Sequence, residues 1–189
     1  MAAKAAACAG AVKLKEMNMD IISKVIFMEQ LKMHEGERLS AYKDSLGVLT
    51  VGVGHNCEAS PVPGIEKPGD KISKEMSRQL FYKDIKEHEK PLYQRLPWLA
   101  KLDGARQAVL LNMAFNLGVS GLLGFRTTLK KVENSDFEGA SEAMLASRWA
   151  IQVGDFPPGS PQAERIGRPG RAWDLAEQMR TGKWQGVFK

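Results

Sequence analysis

The stretch EGERLSAYKDSLGVLTVGVGHN, residues 35–56, decides how this chain folds. Up to Glu35 the apolar residues recur at helical spacing: in IISKVIFMEQLKMHE, Ile22, Val25, Ile26, Leu31 and Met33 fall near one stripe. Gly36 ends that helix, because glycine readily takes the left-handed backbone that closes a helix. The period then changes. In VLTVGVGH the residues Leu49, Val51 and Val53 alternate with Thr50, Gly52 and Gly54, which reads as a strand. One face can be buried; the other carries a hydroxyl and two residues with no side chain. LSAYK supplies a partner strand, and DSLG a turn in which Gly47 can take positive φ. The stretch therefore predicts a helix end feeding a β-hairpin.

The Pro/Gly-rich loop PVPGIEKPGD follows, with room for a third strand whose position is not legible. Ser73 is the candidate N-cap of a long helix that Pro91 should stop. Beyond it ARQAVLLNMAFNLG, TTLKKVENS and FEGASEAMLASRW read as helices, with a break at VSGLLGF and a Pro/Gly insertion over 155–170. The closing helix RAWDLAEQMRTG ends at Gly182, with Arg180 at the negative end of its dipole. The expected architecture is α+β: a small antiparallel sheet lobe (about 35–72), an interlobe helix (about 73–90) and a larger helical lobe (about 91–189 plus helix 21–35), with a cleft between the lobes. Residues 21–189 form one domain in this reading, preceded by a flexible extension over 1–20.

At 189 residues, 43% hydrophobic and 26% charged, the chain has the composition of an ordinary globular protein. Its net charge of +5 is scattered and suits anionic polymers in general, including nucleic acid, acidic membranes and wall glycan, without choosing among them. No nucleic-acid recognition motif accompanies it. Cys8 and Cys57 resemble free thiols more than a disulfide framework, and three histidines without ligand spacing do not make a metal site. No cofactor is expected. The Ala-rich start is closed quickly by Lys13, Lys15 and Glu16, so it is a poor secretion signal, and no run approaches the ~18 apolar residues of a membrane span.

Three polar residues of the opening stretch carry chemistry. A carboxyl at a helix C-terminus, as at Glu35, meets the negative end of the dipole, and partial desolvation further favours its protonated form, as a general acid needs. Asp44 lies in a polar turn nine residues later and stays ionised in this reading. Two carboxyls in contrasting surroundings are the pair that glycoside hydrolysis uses. Thr50, on the adjoining strand, could hold a water against Asp44, and the Gly52 and Gly54 face would admit a bulky polymer. Spacing alone is permissive, since the same residues also suit charges on the surface of a hairpin.

The segment E-G-x-R-L-x-A-Y-x-D-x-x-G-x-x-T-x-G-x-G-H, here Glu35 through His55, closely resembles the signature of the tailed-phage lysozymes, the endolysin family typified by the T-even phage enzyme. ARQAVLLNMAFNLGVSGLLGF is similar to that family's central buried helix, Ser147-Arg148-Trp149 to its later Ser-Arg-Trp element, and MRTGKW to its terminal segment. The resemblance covers roughly 25–185. It implies a lysozyme (glycoside hydrolase family 24) that cleaves peptidoglycan between N-acetylmuramic acid and N-acetylglucosamine with inversion. Glu35 would be the acid, and Asp44 and Thr50 would position and activate the water. Phe115, Thr128 and Asn56 fall at substrate-binding positions, although Phe115 reads equally as a core aromatic. Asn56 and Ala143 differ from the family residues there. Arg171 matches an arginine that pairs with the catalytic glutamate, with Arg165 and Arg168 as competitors. His55 matches a histidine paired structurally with an aspartate, here Asp84. His34 stands where the family often has an acid.

The resemblance further implies a protein made in the host cytoplasm and released to the periplasm and wall when a holin opens the inner membrane, and a monomer is expected of a cleft enzyme with no visible oligomerisation stripe. Two other classes remain open at this point. One is a lysozyme fold kept as a silent binding or structural module. The other is a basic protein that permeabilises membranes without catalysis, an activity that would survive Glu35→Gln.

Overall fold

The computed structural model describes residues 19–44 and 46–187. The expectation of a flexible extension falls on residues 1–18, outside that range, as does Cys8. Met19 and Asp20, placed at the end of that extension, are part of the fold. Met19 is buried, and the Asp20 carboxylate accepts from the backbone N–H groups of Ile22 and Ser23, both at 3.0 Å.

Helix α1 (Ile21–Glu35) leads into a sheet of β1 (Arg38–Lys43), β2 (Leu49–Gly52) and β3 (His55–Asn56), antiparallel in that order. The long helix α2 (Lys74–Arg95) and a 3₁₀ turn (Pro97–Lys101) follow, then α3 (Gly104–Leu123), broken by a kink at Gly118 (φ 72°), α4 (Arg126–Glu133), α5 (Phe137–Leu145), α6 (Arg148–Val153), α7 (Pro161–Ile166) and α8 (Arg171–Thr181). Six of these helices open on an Asp or Ser whose side chain accepts a first-turn N–H: Asp20, Ser73, Asp103, Asp136, Ser147 and Ser160. Each such cap is worth about 1 kcal/mol. The α+β architecture is as the sequence predicts.

Two apolar cores divide the molecule. The larger surrounds α3, whose residues Ala108 to Leu111, Met113 and Ala114 are at most 1% exposed. A helix apolar on every side must be enclosed by other helices, and this one is. The smaller core, Ala41, Leu49, Val51, Cys57, Val62 and Ile65, lies under the sheet. Cys57 there is a free, buried thiol.

Four local expectations are corrected. Pro91 does not stop α2, which continues to Arg95. An internal proline costs ~3 kcal/mol, but Leu92 just beyond it is wholly buried in the main core and offsets that cost by holding the last turn in place. VLTVGVGH is not one strand: Gly52 and Gly54, with φ of 67° and 77°, turn the chain from β2 into β3. Nor is one face of β2 open, since all four of its residues are buried. The space beside Gly52 is taken by α2, because a Cβ there would lie 3.2 Å from Ser77 Oγ. The 155–170 insertion also contains a helix, α7, capped by Ser160.

Candidate active site

Glu35 is the last residue of α1, and Gly36 closes the helix with φ 77° and its N–H on the Lys32 carbonyl at 2.8 Å. The side chain of Glu35 remains 21% exposed, and its Oε1 lies 2.8 Å from Nη1 of Arg171, the first residue of α8. Among the described residues Oε1 takes no well-directed hydrogen bond, so charge holds this contact. Arg171 is only 6% exposed. Burial pulls its guanidinium below the ordinary arginine value, and Glu35 opposes that shift. The remaining guanidinium nitrogens go to α3: Nε and Nη2 donate to Asn112 Oδ1 at 3.0 and 2.7 Å, and Nη2 also to the Asn112 carbonyl at 3.3 Å.

Two glycines place Arg171. Gly170 lies so close to Gly154 that a Cβ at 170 would sit on the Gly154 carbonyl. The clasp is completed by Gly170 N–H on the Phe156 carbonyl at 3.0 Å and Ala172 N–H on the Gly154 carbonyl at 2.8 Å. The insertion therefore leaves and returns at one point, and α8 starts where its first side chain reaches Glu35. Arg168, ahead of it, donates Nη1 to the carbonyl of Pro169 at 3.4 Å.

Asp44 organises the turn that follows β1. Its Oδ1 accepts from the N–H groups of Leu46 and Val48 at 2.8 and 2.9 Å, and Gly47 takes φ 82° there. Its Oδ2 accepts no hydrogen bond among the described residues. Thr50, 5% exposed in β2, donates its hydroxyl to the Val48 carbonyl at 3.1 Å. Val48 thus ties the two residues together: its N–H bonds to the Asp44 carboxylate, and its carbonyl accepts from both the Asp44 N–H at 3.0 Å and the Thr50 hydroxyl.

His55 and Asp84 meet as expected. Nδ1 lies 2.9 Å from each Asp84 oxygen, and Nε2 lies 2.8 Å from the Ser60 carbonyl. Both partners are acceptors, so both ring nitrogens carry protons when the site is fully bonded. Asp84 accordingly raises the imidazole above its ordinary value, against the opposing effect of burial.

The three substrate-position residues differ in what they touch. Phe115 stacks against α2, edge-on to Phe81 with ring centres 6.0 Å apart and tilted over His88 at 5.2 Å. Thr128 is 2% exposed in the first turn of α4. Asn56 spends its carbonyl on the N–H groups of Glu58 and Ala59, both at 2.9 Å. A cavity of about 400 Å³ is lined by Lys32, Glu37, Ser77 and Phe81 among others, and by none of Glu35, Asp44 or Thr50. Among the described residues, no group of three His, Cys, Asp or Glu is placed to hold a metal ion.

Asn112 was not among the residues singled out from sequence. The signal was available: an amide in the middle of the apolar run VLLNMAF is buried by its neighbours and must find partners.

The family model for phage lysozyme matches residues 32–160, from the end of α1 to the start of the insertion's helix. The chain belongs to the phage lysozyme family. Among its phage lysozyme relatives, a probable T4-type lysozyme of Dictyostelium discoideum is 31% identical over 66% of this chain and 85% of that protein. The endolysin of Salmonella phage P22 is 34% identical over 61% of this chain and 76% of its own length. The pre-baseplate central spike protein Gp5 of Enterobacteria phage T4 is 29% identical over 74% of this chain, a match that spans only 28% of the spike protein. The chain thus resembles relatives named lysozyme and endolysin along most of their length, and a relative named as a spike protein along a small part of it.

Proposed function

We propose that this chain is an endolysin muramidase, which hydrolyses the β-1,4 bond between N-acetylmuramic acid and N-acetylglucosamine in peptidoglycan with inversion at the anomeric carbon. The observation that carries the reading is Glu35: a partly exposed carboxyl at a helix end, held by a buried arginine, in a chain of the phage lysozyme family. Glu35 donates its proton to the glycosidic oxygen as the bond to the anomeric carbon breaks. A water on the opposite face of the sugar attacks that carbon and gives up its proton to Asp44.

The hairpin suits this division of labour. One oxygen of Asp44 is committed to the turn, which leaves Oδ2 for water, and Thr50, which donates its proton to the Val48 carbonyl, keeps its hydroxyl oxygen as an acceptor. Arg171 holds Glu35 before substrate arrives, and substrate weakens that pair so that Glu35 can carry the proton. The enzyme acts as a monomer, made in the host cytoplasm and admitted to the wall through a holin. Among the described residues no single helix is long and apolar enough to cross a membrane.

The likeness to a spike protein supports a second reading, a lysozyme module that serves an assembly without cutting glycan. Digestion of purified Gram-negative peptidoglycan by the wild type and by Glu35→Gln, with mass spectrometry of the fragments and NMR of the first-formed anomer, separates the readings. Reducing-end muropeptides of inverted configuration, absent with Glu35→Gln, are the expected result. Anhydro products would overturn the hydrolytic step, and no release by either protein would favour the assembly module.

A further inference from the structure

The residue before the candidate acid is a buried histidine that the proposed chemistry leaves unused. The His34 side chain has no solvent exposure, and its Nδ1 lies 3.1 Å from Asn112 Nδ2. Asn112 is the same residue whose carbonyl oxygen takes Arg171 Nε and Nη2. A side-chain amide has one acceptor end and one donor end. Because Arg171 has only donors, the amide must turn its oxygen toward the guanidinium and its NH₂ toward His34. His34 Nδ1 must therefore be the acceptor, and the ring proton must sit on Nε2. That nitrogen points toward Asp174 Oδ2 at 3.8 Å, beyond hydrogen-bond reach, and neither atom has another hydrogen-bond partner among the described residues.

We propose that His34 is a positioning residue for this site: as a neutral imidazole protonated on Nε2, it fixes the Asn112 amide in the one orientation that offers a carbonyl to Arg171, and so holds the guanidinium against Glu35. The consequence for catalysis rests on the reading of Glu35 as the acid. A proton added to Nδ1 would face the Asn112 NH₂, donor against donor. The amide would have to turn, and Arg171 would lose its bonds to Oδ1.

The surroundings keep the neutral form. Burial pushes the imidazole below its ordinary value, Arg171 at the head of α8 and Arg168 before it push the same way, and only Asp174 on α8 opposes them. Asn112 from α3 is uncharged, and Glu35 adjoins His34 on α1 itself.

The test compares His34→Asn, whose carbonyl can stand in for Nδ1 without titrating, with His34→Leu, which has no acceptor. His34→Leu should lower kcat on peptidoglycan about tenfold with little change in KM, and His34→Asn should restore it to within about threefold. The wild-type profile should fall on its acid side with an ionisation that His34→Asn lacks. ¹⁵N NMR of the wild type supplies a readout independent of activity. The His34 ring should show the Nε2–H tautomer, and the Arg171 Nε–H resonance should move as His34 titrates. An Nδ1–H tautomer, an Arg171 signal indifferent to His34, or equal loss in both variants would overturn the proposal. Full activity of Glu35→Gln would instead overturn the assignment of the acid and leave the NMR result standing.

Discussion

Asp84→Asn should cost this protein several kcal/mol, and the cost should depend on pH. His55 is 2% exposed, and the Asp84 side chain 12%. The imidazole has only acceptors around it, Asp84 on one side and the Ser60 carbonyl on the other. Asparagine keeps the shape and one acceptor but removes the charge. A hydrogen bond to a charged group contributes ~1.5–3 kcal/mol, against ~0.5–1.5 for a neutral one, and breaking a buried ion pair adds to the difference. A loss of about 3 kcal/mol at about pH 5.5 follows, or a fall in Tm of roughly 10 °C for a domain of this size. The folded imidazole is raised above its unfolded value near 6.5, so its contribution is fully present below about pH 6.5 and fades as pH climbs through the raised value. Urea unfolding of both proteins, followed by circular dichroism from about pH 5.5 to 9.5, should show a gap that is widest at the acid end and narrows toward the alkaline end. Parallel curves, or a gap under about 0.5 kcal/mol at about pH 5.5, would refute the account of a buried, charge-assisted pair.

Glu89 is 5% exposed, and burial pushes its carboxyl up to about 7 against the opposing pull of Lys24 and Lys86. The wild type should therefore lose roughly 3 kcal/mol as pH rises from about 4.5 through 7, and Glu89→Gln should flatten that part of a urea-midpoint profile. Gly170→Ala puts a methyl on the Gly154 backbone. It should cost about 3 kcal/mol in a thermal melt and displace Arg171, so that peptidoglycan cleavage falls with stability. Thr50→Val removes one hydroxyl from a buried strand. Stability should change by no more than about 1 kcal/mol, since the Val48 carbonyl still accepts from the Asp44 N–H at 3.0 Å, while kcat drops about 100-fold or more.

What the sequence determined by itself was local or carried by a dense motif. The end of α1 at Glu35, the Asp44 turn with Gly47 at positive φ, and the Gly182 stop are set by glycine's backbone freedom and by side chains that bond within four residues. Most helix starts are legible for the same reason, because a Ser or Asp cap bonds to its own first turn. The run from Glu35 to His55 likewise holds Glu35, Asp44 and Thr50 in one segment of the chain.

Tertiary structure decided whatever depends on partners far along the chain. Pro91 reads locally as a stop, yet α2 passes through it because Leu92 fills the core. Gly52 reads as an open approach for a polymer, yet Ser77, 25 positions on, covers it. The insertion left the choice among Arg165, Arg168 and Arg171 open in sequence, and the Gly154–Gly170 clasp brings Arg171 to Glu35. Asn112 and His34 acquire meaning only beside Arg171, since an amide's orientation and an imidazole's tautomer are set by whichever donors and acceptors packing places around them.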